Sequence, residues 1–129
     1  MSIFSKIVSG EISAHVVAET TDFLAFLDVN PLVMGHVLVI PKKEIDYIFD
    51  MDDEIYIGLT IFAKVVANGI KKAFPCKKIG VAVIGLEVPH THIHLIPMNN
   101  VSHMNFSKDK LKPSPEELAE AAAKIRAQF

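Results

Sequence analysis

The chain has 129 residues, half of them hydrophobic, which suits one compact domain that buries about two-thirds of its unfolded surface. Its 13 Lys and Arg against 15 Asp and Glu give a formal charge of −2, so no global field draws it to nucleic acid or an anionic membrane. The single cysteine, Cys76, excludes an internal disulfide and a Cys-x-x-Cys metal pair, and no run approaches the roughly 20 apolar residues of a membrane span.

The N-terminal MSIFSKIVSGEIS has neither the apolar run nor the A-x-A-like site of an export signal, and with the lone thiol this predicts a cytoplasmic protein. Ile3, Phe4, Ile7 and Val8 stand at helical spacing and Gly10 follows as a stop, giving a short first helix over 3–9. HVVAETTDFLAFLD, 15–28, holds two β-rich runs around Glu19 to Asp22, the pattern of a tight hairpin. Asn30-Pro31 marks a loop, and HVLVIP, 36–41, is a short β-branched run closed by Pro41 and so reads as a buried strand.

From Asp52 to Phe74 an apolar stripe runs through Ile55, Leu59, Phe62, Ala63, Val66, Ile70 and Phe74, with acidic residues at its start and Lys71 and Lys72 near its end. That polarity and period define a long helix. IGVAVIG, 79–85, and HTHIHLIP, 90–97, read as two antiparallel strands with a short link between them. Ser114-Pro115-Glu116-Glu117 supplies an N-cap, a proline at the first helical position and an acidic first turn for a final helix. The fold class is α+β: one domain over 1–129, a mostly antiparallel sheet of about five strands, one long helix and a C-terminal helix.

His90, His92 and His94 alternate with Thr91 and Ile93, and on a strand all three imidazoles project to one side. Crowded imidazoles resist charging together, so one can be neutral and nucleophilic near pH 7 while another donates a proton. A single histidine is more often a plain surface or core residue, but three on one face favour chemistry. Such a face suits a nucleophile, and its sharper competitor is a His-ligated zinc, since neighbouring strand histidines can bind the ion.

HTHIHLIP resembles the His-x-His-x-His signature of the histidine-triad (HIT) family. IFSKIVSGEI, FLAFLDVNPLVMGHVLVIPKK and FDMDDE are similar to the matching segments of its Hint-type members, so the likeness covers most of residues 3–98. The resemblance implies a HIT-like fold, a homodimer, and hydrolysis at the α-phosphorus of a nucleoside phosphoramidate, acyl-adenylate or dinucleoside polyphosphate, with no obligatory metal or cofactor. It implies that His92 is the nucleophile, oriented by the backbone carbonyl of His90, and that His94 and His36 contact phosphate. Asp28 matches a position that bonds the ribose hydroxyls, its plain alternative being a loop cap. Ile3, Phe4, Ile7, Phe26 and Leu27 are candidates for a purine pocket, each otherwise a core residue.

The chain departs from that pattern before the triad, where many relatives carry Ala-Gly-Gln-Ser or Ala-Gly-Gln-Thr and this sequence has Ile84-Gly85-Leu86-Glu87. Glu87 replaces the hydroxyl, either as a proton donor if burial raises its pKa or as a charge that repels anions. Ile79 stands where Hint-type members have an asparagine. Ser2, Ser5 and Glu44 occupy places where some bacterial relatives bind zinc, so that structural site is expected to be missing. Lys71, Lys72, Lys77 and Lys78 form a basic cluster that reads as a solvated helix end, and Cys76 has no evident role. Two rival readings remain: a non-catalytic nucleotide-binding or scaffold protein, motivated by Leu86-Glu87, and a metalloprotein built on His92 and His94.

Overall fold

The computed structural model describes residues 1–129. Helix α1 (Ile3–Val8) starts where the Ser2 hydroxyl accepts from the Ser5 N–H, and Gly10 takes the chain out at φ +86°. Strands β1 (Val16–Glu19) and β2 (Phe23–Leu27) form the expected hairpin, with the Phe23 N–H donating to Thr20 Oγ1. Strand β3 (Val37–Pro41) is buried along its whole length. Helix α2 runs Asp53–Ala73, with Asp53 and Glu54 in its first turn and Lys71 and Lys72 in its last.

Strands β4 (Lys78–Ala82) and β5 (Ile93–Met98) complete the sheet, and α3 (Pro115–Arg126) opens on a capping box in which Ser114 and Glu117 satisfy each other's backbone N–H. Two 3-10 turns, Ile48–Asp50 and Val101–Met104, were not foreseen. The sheet order is β1-β2-β3-β5-β4 and every pairing is antiparallel. The chain leaves β3, crosses by α2 to the outer strand β4 and returns through β5 into the gap. Helices and strands surround one mainly apolar sheet, the α+β architecture expected.

Alternation assigns the two faces. Val37, Val39, Ile93 and Leu95 join Leu59, Val66 and Ile70 of α2 and Leu118 and Ile125 of α3 in the main core. Leu24, Phe26, Leu38 and Ile40 point the other way and pack with Phe4 of α1 in a second, smaller cluster. The register sets Leu38 beside both Phe26 and His94, so the second face carries the chemistry.

The 90–97 segment differs from expectation. Its ladder begins only at Ile93, so His90, Thr91 and His92 lie outside the strand. Thr91 is the reason: its N–H and its hydroxyl both donate to the Ile45 carbonyl at 2.7 Å, tying the backbone to the loop that follows β3. The link from β4 is correspondingly longer, and Val83 to Gly85 do not extend that strand.

Candidate active site

Gly35, at φ +93°, turns the chain into β3, and an added Cβ there would meet the Phe74 ring and Pro97 at 3.0–3.1 Å. His36 follows immediately and is fully buried. Its Nδ1 accepts from the Leu32 N–H at 3.1 Å, so its proton is on Nε2. That Nε2–H donates to Nδ1 of His94 at 2.9 Å. Nδ1 of His94 is thereby an acceptor, and the His94 proton must sit on Nε2. The chain of bonds leaves His94 presenting an N–H donor.

Burial pushes the His36 imidazole down to about 3, with repulsion from His94 adding to it. Burial lowers His94 to about 4, helped by His92. Both rings are neutral at pH 7, and only His94 borders the cavity: His36 is fully buried and gives its Nε2–H to His94, so the phosphate contact expected of His36 is replaced by support of His94.

Nδ1–H of His92 donates to the His90 carbonyl at 2.7 Å, which leaves Nε2 with a free lone pair. Nε2 has no partner in the chain, and no buried side-chain nitrogen or oxygen lacks one, so this atom reaches open space. The space is a cavity of about 540 Å³ bordered by His92, His94, Asp28, Glu87 and a largely apolar wall. Ile3, Phe4, Ile7, Phe26 and Leu27 all border it. Phe4 meets His92 edge-on at 4.9 Å and Phe26 at 5.5 Å, while Leu27 belongs at the same time to the main core.

His90 faces away from the cavity. Its Nε2–H donates to the Pro41 carbonyl at 2.8 Å and its Nδ1 accepts from the Ser2 hydroxyl at 2.8 Å. Burial lowers its pKa as well. Ser2 and Ser5 also donate to Glu44, so the residues standing where some relatives bind zinc are joined here by hydrogen bonds that tether α1 to His90. The three triad rings therefore play different parts, with His90 as an anchor, His92 offering a lone pair and His94 offering a proton.

Asp28 fills two roles. Oδ1 accepts from the Asn30 N–H at 2.9 Å, the loop-capping contact, while Oδ2 stands 3.8 Å from Nε2 of His36 and borders the cavity. Burial raises its pKa above the usual carboxylate value. Asp28, His36 and His94 bring one ligand-type atom each within 4.8 Å of one another. His92 is not in that group, so the metal site foreseen on His92 and His94 is not the one this geometry gathers. The facing nitrogens of His36 and His94 already share a proton at hydrogen-bond distance.

Glu87 borders the cavity but is exposed, so it lacks the burial that a proton-donor role required. Leu86 beside it is 90% exposed. Lys71, Lys72, Lys77 and Lys78 do not line the cavity. Among the lining residues that sequence reasoning missed are Phe106, whose ring lies 4.9 Å from that of His94, and Lys110. Their segment reads only as a polar loop, with no period to fix where it folds.

A model of the HIT domain matches residues 9–101. The chain belongs to the HIT family. It is 31% identical to the adenosine 5′-monophosphoramidase hnt1 of Schizosaccharomyces pombe over 129 residues, covering 98% of this chain and 97% of that protein. A Hit-like protein involved in cell-cycle regulation from Bartonella henselae shares the fold at a TM-score of 0.86 and 34% identity, covering 99% of this chain and 96% of that one. A Zn-bound histidine triad family protein from Mycobacterium smegmatis aligns at a TM-score of 0.82 and 26% identity, over 98% of this chain and 91% of that one. Family membership and the phosphoramidase relative support nucleotide hydrolase activity in general.

Proposed function

We propose that this HIT protein hydrolyses a nucleoside 5′-phosphate derivative at its α-phosphorus, with His92 as nucleophile. The observation that carries the reading is the 2.7 Å bond from His92 Nδ1–H to the His90 carbonyl, which fixes the tautomer and exposes Nε2 to the cavity. The Nε2 lone pair forms a bond to phosphorus as the bond to the leaving amine or phosphate breaks, giving a nucleotidyl-histidine. Water then adds to phosphorus, its proton passes to solvent, and the nucleoside monophosphate leaves with His92 restored. A departing amine takes its proton from solvent at the cavity mouth.

His94, donating through Nε2–H, stabilises a non-bridging oxygen as charge builds on it, and His36 holds that proton in place. Asp28 is an acceptor for ribose hydroxyls, and the apolar wall around Phe4, Ile7 and Phe26 accepts a purine. The substrate class is a phosphoramidate, acyl-adenylate or dinucleoside polyphosphate of adenosine or guanosine.

The test is turnover of adenosine 5′-phosphoramidate by wild type and His92→Asn, with an acid-sensitive, base-stable nucleotidyl-protein sought on quenching. Loss of both turnover and adduct in the variant while nucleotide binding persists is the expected result. Undiminished turnover by the variant removes His92 from its role, and a wild type that binds nucleoside monophosphates without turnover replaces the enzyme reading with the scaffold one.

A homodimer is part of the same proposal. Ile57, Ile61 and Val65 form an exposed stripe on α2, each more than half accessible, and Val81 on the outer strand β4 is 64% accessible. Such contiguous apolar exposure supports pairing with a second copy. No helix of the structure is long and apolar enough to cross a membrane.

A further inference from the structure

The His92 cavity lies open to an anion but is poor in positive charge. Asp28 and Glu87 border it, the buried imidazoles are neutral donors, and Lys110 is the only lysine or arginine on its wall. Lys110 is held at the rim by its ammonium, which donates to the Phe106 carbonyl at 3.3 Å, while the Phe106 ring packs against His94. The same lysine continues into a neighbouring groove of about 730 Å³ lined by Asn30, Lys108, Asp109, Lys110 and Lys112, with no hydrophobic residue. The apolar cavity and this polar groove thus share Lys110, and the groove offers three ammonium groups against one carboxylate. Lys110 also acts electrostatically on both Asp28 and His36, which agrees with its place on the cavity wall near Asp28.

We propose that Lys110, with Lys108 and Lys112, forms a subsite for a second phosphate group on the nucleotide, beyond the one that His92 attacks. The inference rests on the nucleotide reading of the cavity. The second phosphate has two chemical sources: it extends the 5′-phosphate chain, as in a polyphosphate leaving group, or it is carried on the ribose 2′ or 3′ oxygen beside Asp28. In either case Lys110 determines specificity, since a substrate with a small uncharged leaving group and a free ribose does not reach the groove.

Calorimetric titration of adenosine 5′-monophosphate, adenosine 5′-diphosphate and adenosine 3′,5′-bisphosphate into wild type, Lys110→Met and Lys110→Arg separates these cases without relying on turnover. One of the two doubly phosphorylated ligands is expected to bind wild type on the order of 10- to 100-fold tighter than the monophosphate, the range of a charge-assisted contact. Lys110→Met should abolish that advantage, bringing the doubly phosphorylated ligand down to the affinity of the monophosphate in the same variant, and Lys110→Arg should keep most of it. A tighter diphosphate identifies the leaving-group side, and a tighter bisphosphate the ribose side. Equal affinity of wild type for all three ligands, or an equal loss for all three in Lys110→Met, overturns the subsite. Because binding alone is read, failure here leaves the role of His92 to be judged by its own turnover and adduct assay.

Discussion

Acidification probes the buried His36–His94 pair directly. Burial holds the two imidazoles at about 3 and about 4, against an ordinary value of 6.5. The folded protein thus binds fewer protons than the unfolded chain between these values and 6.5, so the stabilisation is complete above 6.5 and is lost as the pH falls. Each pH unit below 6.5 costs about 1.4 kcal/mol per histidine, or roughly 2 to 3 kcal/mol each by a pH of about 4.5. His94 begins to protonate in the folded state near that pH, which trims its share only slightly, so the pair together gives a fall of roughly 5 kcal/mol, a large share of the 5 to 15 kcal/mol of a typical domain. The assay is urea unfolding at steps between a pH of about 7.5 and 4.5, on wild type and His36→Gln, whose amide retains a donor for Nδ1 of His94. The variant should lose about half of the slope whatever its absolute stability. His90, also depressed by burial, adds the same sign, and the raised Asp28 carboxyl adds the opposite sign, but both persist in the variant. A pH-independent wild-type midpoint, or equal slopes in the two proteins, refutes the neutral-pair assignment.

Phe4→Ala removes a buried ring packed edge-on against Phe26 and His92, and should cost about 3 kcal/mol in denaturant unfolding while raising KM for adenosine substrates. Glu87→Gln removes an exposed charge from the cavity rim and should raise kcat/KM for anionic substrates about 2- to 5-fold at low salt, the gain vanishing at high salt. A tenfold fall in kcat instead would make Glu87 a proton donor. Ile61→Glu, at an exposed position on α2, should shift sedimentation from dimer to monomer without changing the helical circular dichroism.

The elements were legible because each carries local chemistry that agrees with its packing. The stripe from Ile55 to Phe74, acidic at one end and basic at the other, gave α2 nearly to the residue, and Ser114-Pro115-Glu116-Glu117 gave the start of α3. The triad was legible as a spacing but not as a geometry. Strand alternation alone would aim His90 with its neighbours, whereas Thr91 bonds to Ile45, the ladder starts only at Ile93, and His90 turns back to Ser2 and Pro41. Contacts between residues more than forty positions apart leave no periodic trace. Neither does the return of Phe106 and Lys110 over His94, because a loop's path is set by what it packs on.

These nonlocal contacts divide the labour among chemically identical side chains. A carbonyl partner for Nδ1 makes one imidazole, His92, a lone-pair donor. An imidazole partner for Nδ1 makes another, His94, a proton donor, and that partner is itself oriented by the Leu32 N–H. Neutrality of the pair is what keeps both tautomers defined, since a protonated His94 would turn its Nδ1 into a donor facing the Nε2–H of His36. Acid should therefore undo the pair and its tautomers together: as the pH falls through the range in which the pair protonates, phosphate affinity should fall with the stability of the His36–His94 pair, and His36→Gln, which keeps a donor but cannot be protonated, should move both profiles by the same amount.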